Sequence, residues 1–165
     1  MSRPTPTDRA NRILQITRTF DASREEVFRY LVEPVLIAHW WGPDGFGTPA
    51  DQVEVEAKAG GLHRKTMLLE SAEIAAGMGV PVGTPFPDVA TVLDILPPEL
   101  LVLTAEPQPK MGLVERTVTR IELHAEGRHR TRVVLVDGPY DETMAPNAET
   151  GWRQQFGKLE RLLAQ

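Results

Sequence analysis

Trp152-Arg153-Gln154-Gln155-Phe156-Gly157-Lys158-Leu159-Glu160-Arg161-Leu162-Leu163 is the stretch that decides the fold. Trp152, Phe156, Leu159 and Leu163 recur at helical spacing, with Leu162 beside them, so they share one apolar face. Arg153, Lys158, Glu160 and Arg161 fall mostly on the opposite, wet side. No other stretch reads as a long amphipathic helix, and its apolar face needs a surface to cover it.

The chain upstream supplies β segments for that purpose. Ile13 to Phe20 alternates, with Leu14, Ile16 and Phe20 on one side and Arg18 interrupting. Gln52 to Lys58 alternates through Val53, Val55 and Ala57, turns at Ala59-Gly60-Gly61, and returns over Leu62 to Glu70. Val89 to Leu96 and Leu100 to Thr104 are joined by Pro97-Pro98-Glu99. Val114 to His124 and Thr131 to Val136 are joined by Ala125-Glu126-Gly127. Connections this short make hairpins, so the sheet is predicted to be antiparallel.

Between the first strand and the rest, Ser23 with Glu26 three residues later reads as a capping box opening a helix. Val27, Phe28 and Leu31 give it a buried side. Pro34 ends that helix and suits the first turn of a second, which Gly42-Pro43 stops near Trp40. The predicted order is one strand, two short helices, six strands and a long helix. The expectation is an α+β fold with about seven strands curved around the C-terminal helix. Residues 1–11 read as a flexible arm and residues 12–165 as a single domain.

Composition narrows the function classes. A formal net charge of -5 argues against broad electrostatic capture of nucleic acid. The absence of cysteine removes disulfides, thiolate nucleophiles and cysteine metal sites. No stretch approaches the ~20 apolar residues that span a bilayer, and the polar start does not read as a signal peptide. A cytoplasmic location without membrane association is the default expectation. His39, His63, His124 and His129 have no metal-ligand spacing. Neither a nucleotide fingerprint nor a nucleophile elbow is present, so no cofactor is expected.

Several short motifs together resemble one family. Arg18-Thr19-Phe20-Asp21-Ala22 with Val27-Phe28 and Trp40-Trp41-Gly42-Pro43 open the resemblance. Glu56 and Lys58 before Gly60-Gly61 continue it, as do Asp94-Ile95-Leu96-Pro97-Pro98-Glu99 with Leu101 and Thr104. Gly151-Trp152 with Phe156, Leu159 and Leu163 completes it. In order and spacing over about residues 12–164 they resemble the AHSA1-like branch of the START/Bet v 1 (SRPBCC) superfamily. The resemblance implies a helix-grip fold with an internal cavity between sheet and C-terminal helix. It constrains activity much less, since the wider group includes lipid carriers, polyketide cyclases, hydrolase-like proteins and co-chaperone domains.

Against the family pattern, His63 and Lys65 stand where alternate apolar residues usually follow the double glycine, with Met67 and Leu69 after them. Ala90 stands where glycine is common. In one register the basic pair points into the cavity and could anchor an acidic or carbonyl group, with Glu56 or Glu70 as a partner for the lysine. A one-residue slip turns both side chains to solvent, and the cost of burying a lysine weighs toward that reading. Trp40, Trp41 and Trp152 are candidates for an aromatic wall, although core packing is favoured for Trp152; Met67, Phe156 and Arg116 join Trp41 and Trp152 in the predicted ligand-binding set. Glu54, Glu56 and Asp94 lie on strands, but nothing identifies a general base. Gly157 costs ~1 kcal/mol relative to alanine inside a helix, which implies a close backbone approach, room for a ligand, or an unremarkable exposed position.

The leading functional expectation is a module that binds a small hydrophobic or amphipathic molecule. An enzyme of cyclase or hydrolase type, with His63 as its acid–base group, is the second. A co-chaperone-like interaction domain is the third. Residues 71–87, rich in Gly and Pro yet carrying Ile74, Met78, Val80, Val82 and Phe86, suit a lid, a homodimer contact or a plain mobile loop.

Overall fold

In the computed structural model, which describes residues 12–109 and 113–165, apolar alternation builds the sheet. The N-terminal arm expected over residues 1–11 lies outside the described residues. Strand β1 (Arg12–Phe20) buries Leu14, Ile16 and Phe20. Arg18 interrupts that stripe because its guanidinium reaches the C-terminal helix, donating to the Arg153 carbonyl at 3.2 Å and to Glu160 Oε2 at 2.6 Å.

Helix α1 (Arg24–Val32) begins where expected, with Ser23 Oγ accepting from the Glu26 N–H at 3.2 Å. Helix α2 (Pro34–Ile37) starts on its proline, whose missing N–H is no loss in a first turn. Strand β2 (Phe46–Gly47) and a 3-10 turn at Ala50–Gln52 lead into β3 (Val53–Val55). The hairpin to β4 (Leu62–Leu69) needs the second glycine at its turn, because a Cβ on Gly61 would run into the Glu56 carbonyl.

Residues 71–87 hold more structure than their composition suggests. Ser71 caps a helix, α3 (Ala72–Met78), which buries Ala75 and is stopped by the left-handed Gly79. Strand β5 (Pro85–Leu96) then starts earlier than the sequence indicates, despite Pro85 and Pro87. Strands β6 (Leu100–Ala105), β7 (Thr117–Ala125) and β8 (Thr131–Tyr140) follow, and β8 runs past Val136 through Gly138-Pro139. Helix α4 (Met144–Leu163) closes the chain.

Among the described residues the sheet has eight strands in the order β1-β8-β7-β6-β5-β4-β2, with β3 also paired to β4, and every pairing is antiparallel. The strand beyond the expected seven is β2, two residues too short to show a period. The four apolar residues of the opening stretch, Trp152, Phe156, Leu159 and Leu163, are all buried against the sheet. Phe156 meets Phe20 edge-on at 5.7 Å and stacks on Trp40 at 6.2 Å. Burial of each such ring contributes roughly 1.5–3 kcal/mol. This is the α+β helix-grip arrangement expected from the sequence.

Candidate functional site

Packing is tight along the C-terminal half of α4, where Phe156, Leu159 and Leu163 fill the space. Toward the helix N-terminus the small residues Ala148 and Gly151 face the sheet side of the helix. A cavity of ≈ 310 Å³ opens there between α4, the Trp41–Pro43 segment and strands β4 to β8. Met67, Phe86, Leu103 and Trp152 make its walls largely apolar, with Gln108, Leu113, Met144 and Asn147 also among the residues around it.

Strand register decides what else faces this space. His63 and Lys65 alternate with Arg64 and point inward, at 2% and 1% exposure, so the solvent-facing alternative is overturned. Arg64 takes the outer face and pairs with Glu54 at 2.6 Å. His63 lies opposite Ala90 across the β4–β5 ladder. A side chain as small as alanine there leaves space for the imidazole.

The hydrogen bonds assign the histidine tautomer. His63 Nε2 lies 2.8 Å from the Leu31 carbonyl, which can only accept, so Nε2 carries the proton. Nδ1 is therefore bare and accepts from Lys65 Nζ at 2.8 Å. Burial, reinforced by the lysine charge, lowers the His63 pKa to about 3, which keeps the ring neutral. Both ring nitrogens are engaged within the protein and His63 is not among the cavity-lining residues, so it reaches the cavity only through its contact with Lys65.

Lys65 itself is among the residues that line the cavity. Its partner is neither Glu56 nor Glu70 but Asp88, directly opposite in the register, with Oδ2 at 3.4 Å. The Trp41 ring lies over the amine, 4.5 Å from Nζ to the centroid. Burial pulls the Lys65 pKa below its ordinary value, and Asp88 only partly offsets that.

Across the cavity stands Asp137, absent from the sequence-based candidates. Thr119 donates to its Oδ1 at 2.7 Å; Tyr140 and Trp152 donate to Oδ2 at 2.6 and 2.8 Å. Burial raises the Asp137 pKa, and these three donors oppose the rise. Glycine follows it at Gly138 because β1 presses close: a Cβ there would sit 2.7 Å from the Arg12 carbonyl. The signal for Asp137 was present in Thr131, Val133, Leu135 and Asp137 at period two, but Gly138-Pro139 reads as a strand end. Asp88 was hidden in the same way by Pro85 and Pro87.

Of the predicted ligand-binding set, Trp41, Lys65, Met67 and Trp152 line the cavity. Phe156 does not; it is core between Phe20 and Trp40. Arg116 does not either; it is exposed and pairs with Glu106 at 2.5 Å. Trp152 is both wall and buttress, since its indole N–H holds Asp137. Gln155 was also missed: its Oε1 accepts from the Gly42 N–H at 2.8 Å and fixes the Trp41–Pro43 segment to α4. Lys158, expected on the wet side, donates to the Gly42 carbonyl at 2.7 Å. Gly157 neither admits a ligand nor allows a close approach, since a Cβ there would meet only the Arg161 side chain, at 3.7 Å. Residues 71–84 are not part of the cavity lining.

Among the described residues, no cluster of His, Asp and Glu is arranged to hold a metal ion, and no helix is long and apolar enough to cross a membrane.

Solved structures share this architecture. A protein from Chromobacterium violaceum superposes with a TM-score of 0.74 at 22% identity, covering 92% of this chain and 96% of that one. A Nitrosomonas europaea protein gives a TM-score of 0.72 at 20% identity, covering 92% and 94%. The AHSA1 protein of Silicibacter pomeroyi gives 0.69 at 22% identity, covering 92% and 97%. At these identities the likeness establishes the fold alone. No curated protein matches the chain. Residues 21–164 match the family described as Activator of Hsp90 ATPase homolog 1-like protein, and the chain belongs to that family.

Proposed function

We propose that this protein binds one small molecule, apolar over most of its length and bearing a carbonyl group at one end, in the cavity between sheet and α4. The observation that carries the proposal is Lys65, a fully buried amine on the wall of a mostly apolar space. Pockets for small molecules combine such walls with a few fixed polar groups. A lysine is costly to bury even with Asp88 and His63 beside it, and its place on the cavity wall supports a role in orienting a ligand. The apolar body would bind by desolvation at ~25 cal/mol per Å². Asp88 and Asp137 share the lining and would repel an anionic end, which favours a neutral carbonyl over a carboxylate.

Calorimetric titration with 4-isopropylacetophenone, 4-isopropyltoluene and 4-isopropylbenzoate tests this reading. The ketone is expected to bind at least about 3- to 10-fold tighter than the hydrocarbon, the worth of one hydrogen bond of about 0.5–1.5 kcal/mol. The benzoate is expected to bind more weakly than the ketone. Lys65→Met should erase the ketone's advantage. Equal affinities for ketone and hydrocarbon in the native chain, or no saturable heat for either, would contradict the proposal.

A further inference from the structure

We propose that Lys65 captures aldehydes and ketones covalently, as an imine, at the cavity wall. The inference rests on the binding reading above and adds a chemical activity and a substrate class: apolar carbonyl compounds. Three features support it. First, Lys65 is the one fully buried lysine among the described residues; the chain has four lysines in all. Second, Nζ is held in place rather than free to sample rotamers. His63 Nδ1 lies at 2.8 Å and Asp88 Oδ2 at 3.4 Å, the Trp41 ring lies over the amine at 4.5 Å, and Lys65 and Trp41 both line the cavity. Third, a desolvated lysine in an apolar pocket is the state in which the amine becomes a nucleophile. Burial depresses the Lys65 pKa in that sense, and the neutral imidazole adds no charge that would have to be neutralised.

The step needs nothing beyond the carbonyl compound. The Nζ lone pair attacks the carbonyl carbon, a C–N bond forms, and the C=O π pair moves to oxygen. One N–H proton passes to that oxygen, with the Asp88 carboxylate beside Nζ as carrier, giving a carbinolamine. The second N–H proton and the hydroxyl then leave as water while the C=N bond forms. No oxidant or reductant enters. A protonated imine, drawing its proton from solvent, would face the negative field of Asp88 and Asp137, both on the cavity lining.

The test is reductive trapping on the full chain. The protein is incubated near neutral pH with 4-isopropylbenzaldehyde and sodium cyanoborohydride, and alkylated amines are mapped by peptide mass spectrometry. The expected result is a secondary-amine adduct at Lys65 at least tenfold above Lys58, Lys110, Lys158 and the N-terminal amine. Lys65→Met should remove it, while the map on the native chain stands without that variant. Adducts spread over the exposed amines, or an unmodified Lys65, overturn the imine. Calorimetry with 4-isopropylacetophenone on the same preparation separates the two readings. Saturable ketone binding without a Lys65 adduct overturns imine formation and leaves the binding function standing. Neither heat nor adduct overturns both.

Discussion

At the scale of single residues, the chain Leu31 carbonyl–His63–Lys65–Asp88 carries the site, and it leaves a signature in stability. The unfolded state protonates His63 below its ordinary value of 6.5, whereas the native state resists until about pH 3. The unfolded chain therefore binds more protons in that window, and stability falls as pH falls. The loss reaches up to ~1.4 kcal/mol per pH unit from this group. His63→Gln retains an acceptor for Lys65 and a donor for Leu31 without titrating. Denaturant unfolding from pH 7 to pH 5 should cost the native sequence up to ~2 kcal/mol more than the variant. Parallel curves would refute the assignment of a neutral, buried His63.

Asp137 gives a second residue-scale expectation. Its two oxygens accept three hydrogen bonds, and an asparagine offers one acceptor oxygen and a clashing amide. Asp137→Asn is expected to destabilise the fold by about 2–3 kcal/mol in urea unfolding. A change below ~0.5 kcal/mol would mean that the triad of donors is satisfied in some other way. The residue scale is also where the sequence was least legible. His63 and Lys65 could be named as an inward pair or a solvent pair, because a period of two is blind to which face is the core. Their ambiguity was resolved by Ala90 and Asp88, partners that only the β4–β5 register supplies.

Among the elements, helix α4 does two jobs. Its apolar stripe closes the core, and its polar side chains Gln154, Gln155 and Lys158 hold the 42–46 segment by accepting from Asp44 and Gly42 and donating to the Gly42 carbonyl. The stripe was fully readable at helical spacing. The clamp was not, since a glutamine or lysine on the flank of a stripe carries no signature of its partner. Gly157 is the place where this helix can be improved. A Cβ there meets only a flexible arginine tip, so Gly157→Ala should stabilise by about 1 kcal/mol in thermal or denaturant unfolding. A loss of stability would show that the position serves a packing role. Helix α3 and the start of β5 were obscured because Gly and Pro punctuate residues 71–87, yet Ser71 Oγ accepting from the Ile74 N–H is an ordinary helix start. The proline-marked ends of β5 and β8 concealed both carboxylates of the site.

For the molecule as a whole, the order of elements and the apolar face of α4 were enough to specify a sheet wrapped on one helix. Whether space remained between them was not readable, because a void is set by side-chain volumes summed over several strands rather than by any local pattern. In this chain the space exists where α4 presents Ala148 and Gly151, and the polar groups that enter it come from β4, β5, β7 and β8 together. On the function proposed above, this space holds a small apolar carbonyl compound against Lys65. Native mass spectrometry of the gently purified full chain, before and after exposure to a panel of apolar aldehydes and ketones, tests it most directly. A one-to-one small-molecule adduct is expected, present on purification or gained from the panel, and markedly weakened in Lys65→Met. A bare protein mass throughout, or an adduct indifferent to Lys65, would contradict it.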